Sequence, residues 1–416
     1  MDEGFRERLR RLGVGRGTQQ LKAQPRREGE GIEELLSGEI AYNEQGAFFL
    51  YRETYNLDYR HGQHRLSELL AHDPAIPALL ARDERLADVA FHQMAFVDTE
   101  TTGLAGGTGT YAFLVGVGVF DEGAFTIHQF FMRDYGEEPA QIDAVGHLFD
   151  RLEAVVSFNG KSFDLPLLET RFVMSRQQPR LVGAPHLDLL PVARRFWKYR
   201  LASCALSALE PEILGVERSQ ADVPGWLIPG LYADYARSGD AAEMPRIFYH
   251  NAQDILSLVT LAARMCDLLS ATPLGQGDVP GEDLYGLGRL FSELEQPDRA
   301  EVAFARAAQA CRIPEVREMA MRDLAYLLKR QERRAEAIPW WQRLAEAEGA
   351  VYACEELAKH YEWHDEDLAE AAAWTQRGID LVDSWPRGLK RSEAMSRLEH
   401  RLERLTTKLF TPAGET

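Results

Sequence analysis

The run Met94-Ala-Phe-Val-Asp98-Thr99-Glu100-Thr101-Thr102-Gly103-Leu104 opens on four apolar residues and then offers two acids one position apart. Such a pattern predicts a strand from Met94 to Thr99. Side chains two apart on a strand project to the same side, so Asp98 and Glu100 present paired carboxylates at the end of a buried segment. Two such groups repel each other at neutral pH. Either one keeps its proton or a cation sits between them, and oxygen ligands suit hard ions such as Mg²⁺ or Mn²⁺. For an isolated Asp-X-Glu, two solvated acids at an exposed strand end is the plainer account, so the meaning of the pair depends on what accompanies it.

Working outward, the pattern predicts strands from Tyr111 to Phe120, Phe125 to Met132 and Ala154 to Phe158, helices over 140–152 and 165–174, and a strand from His186 to Leu190. Hairpins first and β-α alternation later predict an α/β fold, a mixed sheet flanked by helices. A second acid follows the fourth strand in Ser157-Phe-Asn159-Gly-Lys-Ser-Phe-Asp164, where a turn puts Asp164 in the first turn of a helix. Helix capping is the competing role there. The third site, Tyr249-His250-Asn-Ala-Gln-Asp254, starts an amphipathic helix on which His250 and Asp254, four apart, face one way.

Asp-X-Glu on a first strand, Asp after a Phe-Asn-Gly turn, and a last Asp with an imidazole one turn earlier resemble the DEDD exonuclease superfamily of ribonuclease H-like proteins. Gly103-Leu-Ala-Gly-Gly-Thr-Gly-Thr-Tyr-Ala-Phe-Leu114 and the repeats described below are similar to the bacterial YprB-type members. The resemblance implies a ribonuclease H-like sheet, two divalent cations (Mg²⁺ or Mn²⁺) and a 3′ to 5′ exonuclease acting on single-stranded DNA or RNA. Asp98, Glu100, Asp164 and Asp254 would hold the metals, with Asp98 bridging. That superfamily carries either His five residues before the last Asp or Tyr four before it. Here Tyr249 is five back and His250 four back, so the two types are exchanged. His250 keeps the facing geometry, and imidazole as a side-chain type suits proton transfer near neutral pH, which makes it the expected general base, with Tyr249 as the alternative. Thr99 and Leu104 are expected at the terminal nucleotide, and Asn159 at a phosphate or in its own turn.

Beyond 271–281, a linker rich in Pro and Gly, Leu287, Gly288, Phe291, Ala300, Phe304 and Ala307 recur 37 residues later as Leu324, Ala325, Leu328, Ala337, Trp341 and Leu344. A third copy begins 33 residues on with Leu357, Ala358 and Tyr361. Large and small residues alternating in this way let paired helices pack closely, and the pattern resembles the tetratricopeptide repeat. The expected organisation is a basic arm (1–27), an accessory segment (28–90), the nuclease domain (91–270), the linker, and a helical repeat domain (282–416) ending in a basic capping helix. Trp340, Trp341 and Trp374 fall at repeat positions and are expected in its core.

The chain has 416 residues and a net charge of −18, which speaks against bulk electrostatic attraction to nucleic acid. The distribution qualifies that. Residues 1–27 carry +5, and 171–200 hold seven bases against one acid. Arg194, Arg195, Lys198 and Arg200, interleaved with Phe196, Trp197 and Tyr199, are candidates for tracking a phosphate backbone. Gly103 to Gly109 fits neither a dinucleotide fingerprint nor a phosphate-cradling loop, and two acids precede it. The segment from Asp222 to Pro229 is a candidate cover for the substrate cleft. The four cysteines have no close partner in sequence, which predicts buried thiols rather than disulfides or a thiolate metal site. No apolar run reaches membrane-spanning length and no signal peptide opens the chain, so the expected address is cytoplasmic. The expected partners are a single-stranded nucleic-acid end and, through the repeats, a protein. Two rival readings remain, a non-catalytic scaffold built on the repeats and a structure-selective endonuclease.

Overall fold

A computed structural model describes residues 30–103, 109–180, 183–270 and 279–410. The basic arm, Leu104 and most of the linker lie outside them. Seven strands form one sheet: β1 (Glu39–Asn43), β2 (Gly46–Asn56), β3 (Met94–Thr101), β4 (Ala112–Asp121), β5 (Ala124–Phe131), β6 (Ala154–Ser157) and β7 (His186–Asp188). Their spatial order is β1-β2-β5-β4-β3-β6-β7. The β3-β6 and β6-β7 pairs are parallel and the rest antiparallel. The β4-β5 hairpin closes through Glu122 and Gly123, both at positive φ, as a two-residue turn between right-twisting strands requires.

β3 shows why the sheet must be covered on both faces. Met94 and Phe96 point into a core with Ile255, Leu256 and Val259 of a long helix. Ala95 and Val97 point the other way, into a core with Ile142, Val145, Leu168 and Phe172. The two-residue period therefore assigns α1 (Glu138–Phe149) and α2 (Asp164–Met174) to one face and α5 (Met244–Ser270) to the other. Between them in sequence come α3 (Leu189–Trp197) and α4 (Ile228–Ser238). α5 starts five residues before Tyr249, so His250 and Asp254 lie within the helix rather than in its first turn. β7 ends at Asp188, where Leu189 already begins α3.

The segment expected as an accessory layer is part of the sheet itself. β2 pairs with β5 from Phe49↔Phe131 to Asn56↔Ala124, and the short helices Leu66–Leu70 and Ala75–Ala81 pack into the α5 core. Strand pairing across this span is set by distant residues, which local patterning does not report.

After the linker the described residues form helices alone: α6 (Gly281–Glu293), α7 (Pro297–Ala310), α8 (Pro314–Arg330), α9 (Arg334–Ala347), α10 (Val351–Trp363), α11 (Leu368–Asp383) and α12 (Leu389–Phe410). Leu287, Phe291, Phe304, Leu324, Leu328, Trp341 and Leu357 are all buried, as their recurrence requires, and Trp374 is buried with them. Gly288 lets Phe304 of α7 lie against α6: a Cβ there would stand 2.5 Å from the ring. α12 caps the array through Leu398 and Leu405 and sends Arg401, Arg404 and Lys408 to the buried Glu362 of α10.

The helical array docks directly on the sheet unit. A Cβ on Gly286 of α6 would meet the carbonyl oxygens of Arg195 and Phe196 at 2.5 and 2.6 Å, so helix backbones touch there. Arg200 grips Asp283 with two hydrogen bonds of 2.8 and 3.0 Å. Cys266, Cys311 and Cys354 are buried free thiols, whereas Cys204 is half-buried. Among the described residues no helix is long and apolar enough to cross a membrane.

Candidate active site

Three structural elements deliver four carboxylates to one place. β3 supplies Asp98 and Glu100 from alternate positions, and a register shift at Glu100/Thr101 ends regular pairing there. β6 stops at Ser157, and Asn159, in the left-handed region (φ 66°), turns the chain into α2. Asp188 holds this turn by accepting the backbone N–H groups of Asn159 (2.7 Å) and Lys161 (3.1 Å), besides capping α3 at Leu190. Asn159 is thus a turn residue in this structure, and Asp188 is its anchor. Asp164, the first residue of α2, does not cap its helix. Its Oδ1 instead accepts a 2.5 Å hydrogen bond from the Thr99 hydroxyl.

α5 brings the fourth acid. It reaches the sheet closely because β4 carries glycine opposite it: a Cβ at Gly116 would stand 2.1 Å from Asn251 Oδ1 and 2.6 Å from Ile255. Without that side chain, Asn251 Nδ2 donates to Asp98 Oδ2 at 2.7 Å and to the Asp98 carbonyl at 3.2 Å. Gln129 of β5 fixes the amide by donating to Asn251 Oδ1 and to the Phe248 carbonyl, both at 2.8 Å. One turn along from His250, Asp254 faces the same cluster.

Electrostatics confirm the convergence. Burial, then the charges of Asp254 and Asp164, raise the Asp98 carboxyl well above the ordinary range, against the opposing effects of Asn251 and Arg218. Glu100 is raised likewise, by burial and then by Asp98, Asp254 and Asp164. Asp164 rises to about 6 through burial, moderated by the Thr99 hydrogen bond. The cluster therefore favours holding protons or cations over four bare charges. As an all-oxygen donor set it fits hard divalent ions. Among the described residues no three His, Cys, Asp or Glu side chains stand as a ready metal cage, and each of three acids is engaged by a donor: Asp98 by Asn251, Asp164 by Thr99, Asp254 by Arg218.

Arg218 is the chief residue that local reading did not find. Its guanidinium donates to buried Glu210 at 2.6 and 2.7 Å and also reaches Asp254. Glu210 accepts in addition from Ser257 (2.7 Å), whose hydroxyl also meets His61 Nε2 at 2.7 Å. Burial holds His61 down at about 4, so it is neutral. On the other side of Arg218, His250 Nδ1 lies 2.8 Å from Asp222 Oδ1 and 3.0 Å from Arg218 Nη1, while its Nε2 is 3.7 Å from Asp254 Oδ2. Nδ1 thus stands between an acceptor, the Asp222 carboxylate, and a donor, the Arg218 guanidinium, while Nε2 turns towards the cluster.

The remaining expected residues divide. The Tyr249 hydroxyl accepts from the Ser219 N–H at 3.4 Å, towards the 217–222 loop. Gly225 lies over His250, where a Cβ would be 3.7 Å from Nε2, and Trp226 beside it is 76% exposed, so the 222–229 segment does border the site. Arg195 is engaged within the fold: it donates to the Leu80 carbonyl (3.0 Å) and lies beside Glu293. Arg200 is bound to Asp283, and Phe196 and Trp197 are buried. α6 covers that face of α3, leaving Arg194 and Lys198 exposed. Leu104 lies outside the described residues.

A sequence profile for the RNase_H superfamily matches residues 95–266, which span all four acids and His250. The chain is also 31% identical over 344 residues to a protein of Bacillus subtilis (strain 168) named uncharacterized protein YprB, with 80% of each chain covered.

Proposed function

Since the chain belongs to the ribonuclease H superfamily and to the YprB family within it, we propose that it is a metal-dependent 3′ to 5′ exonuclease of the DEDD type acting on single-stranded nucleic acid. The observation that carries this reading is the convergence of Asp98, Glu100, Asp164 and Asp254 beside an imidazole whose Nε2 faces them. These four would hold two divalent cations. When bound, such ions activate water and offset charge on the attacking and leaving oxygens of a phosphodiester.

The protein's own groups divide the remaining work. His250 Nε2 takes the proton from the attacking water, and Asp222 beside Nδ1 stabilises the imidazolium that forms, against the neighbouring Arg218 guanidinium. Asn251 and Thr99 orient two of the carboxylates. Trp226, exposed next to Gly225, offers a face for stacking the terminal base. The paired helices from α6 to α11 serve as a tetratricopeptide-like unit that positions substrate or binds a partner.

One observation favours the non-catalytic reading: Arg218 already gives Asp254 a cation, as a metal would. Incubation with end-labelled single-stranded DNA and RNA, with and without Mn²⁺, beside Asp98→Ala decides between them. Shortening from the 3′ end by wild type alone supports the exonuclease. Equal behaviour of the two proteins on every substrate removes the nuclease reading, and internal cuts would point to an endonuclease.

A further inference from the structure

A groove of about 850 Å³ runs along α6 and α8, well away from the carboxylates in the chain, and its lining includes Arg289, Arg322, Lys329, Arg330 and Arg334. Its two acids are already occupied. Glu293 is paired with Arg82 and Arg289, and Asp323 accepts from Arg322 (3.1 Å) and from the Tyr285 hydroxyl (2.8 Å). Lys329 is held by Glu356. Arg330 is exposed, and Arg334 Nη1 is shut off from solvent with no hydrogen-bond partner among the described residues.

We propose that this groove binds the phosphate backbone of a single strand of nucleic acid. Its partnerless cations are arginines, whose planar fork matches phosphate oxygens. The half-buried Tyr326 shares the lining, with Lys329 Nζ 5.7 Å from its ring centre, so a ring stands beside the cations, the pairing of groups that single-strand channels use and a peptide carboxylate does not require. The basic, aromatic track also continues onto the sheet unit. Arg289 reaches the Tyr199 hydroxyl at 3.3 Å, the exposed Lys198 lies 4.9 Å from the Tyr199 ring centre, and Arg194 follows one turn earlier on α3. The proposal rests on the nuclease reading only in supposing that the same strand ends at the carboxylates. Binding in the groove stands independently of cleavage.

The test uses the full chain in EDTA, where cleavage does not contribute. Anisotropy of fluorescent 20-residue dT and U oligonucleotides is followed against salt for wild type, for Arg330→Glu/Arg334→Glu, for the milder Arg330→Gln/Arg334→Gln, and for Arg387→Glu/Lys390→Glu as a charge control outside the groove. Circular dichroism melts establish folding. The groove variants should bind at least roughly tenfold more weakly, the Gln pair less affected than the Glu pair, with a salt slope shallower by about 1.4, the value for two lost phosphate contacts on a single strand. The control should shift far less. Equal affinity and slope for wild type and both folded groove variants overturns the proposal. So does tight binding of a polyglutamate peptide that the groove variants lose while oligonucleotide binding is unchanged, which would assign the groove to an acidic protein. Failure of the nuclease reading is read separately, from cleavage by wild type against Asp98→Ala with Mn²⁺.

Discussion

Asn251 donates from a single nitrogen to both the carboxylate and the carbonyl oxygen of Asp98, at 2.7 and 3.2 Å, tying α5 to the C-terminal half of β3. The contact stabilises the ionised form of Asp98 against its acidic neighbours. In Asn251→Leu that support disappears and Gln129 loses one of its two acceptors, keeping the Phe248 carbonyl. Calorimetric titration should show Mn²⁺ affinity reduced several-fold, and thermal melts a loss of about 1–3 kcal/mol. Wild-type Mn²⁺ affinity in the variant would separate Asn251 from the site.

Gly116 makes that contact sterically possible. Gly116→Ala should cost about 1–3 kcal/mol by overpacking against Asn251 and Ile255 and should weaken Mn²⁺ binding with it. Gly103→Ala, whose Cβ meets nothing within 4 Å, serves as the neutral comparison in the same melts.

Arg218 competes with any cation for Asp254. Removing it alone strands buried Glu210, a change expected to cost about 3–5 kcal/mol, so the informative variant is Arg218→Met/Glu210→Gln. That pair should bind Mn²⁺ more tightly than wild type by roughly tenfold, equivalent to about 1.4 kcal/mol. Weaker binding would mean that Arg218 organises the cation site rather than contesting it.

The carboxyl of Asp164 has a defined pH signature. Its folded value of about 6 lies above the ordinary 3.8, so the folded chain holds this proton more tightly than the unfolded one. Stability therefore falls as pH rises between those values and the deficit is constant above them. In metal-free buffer Asp164→Asn should match wild type below pH 4 and exceed it above pH 6 by up to about 3 kcal/mol. Saturating Mg²⁺ should shrink or reverse the difference. A gain equally large at pH 4 would show that charge is not its cause.

The geometry of His250 separates it from its neighbour. His250→Ala should lower kcat about 10²- to 10⁴-fold, whereas Tyr249→Phe, which loses only an acceptor for the Ser219 N–H, should stay near wild type. Loss of activity in Tyr249→Phe alone would move the base to Tyr249.

What local patterning revealed follows from the range of the interactions concerned. Asp98 and Glu100 share a strand face, and His250 and Asp254 a helix face, so a two- or four-residue period suffices to pair them. Asn251 was within reach by the same logic: a polar residue on the buried stripe of Phe248, Ala252 and Ile255 requires a buried partner. Glu210 opens a single π-helical turn (Glu210–Leu214) and Arg218 lies in irregular chain just past the left-handed Gly215, so no regular period links them. Arg195 turns towards Leu80 and Glu293 because the face of α3 that meets solvent is decided by α6, about 90 residues later in the chain. The membership of β1 and β2 in the sheet was hidden for the same reason.

The close approach at Gly286 has one more implication. Because α6 meets the carbonyls of Arg195 and Phe196 without an intervening side chain, and Arg200 locks onto Asp283, the two halves share no hinge at this seam. Their separation is a fixed length. If groove and carboxylates hold one strand, the molecule acts as a ruler. A shrinking strand would lose its grip on the groove at one characteristic size, and digestion should stall at a residual oligomer of that length rather than run to completion.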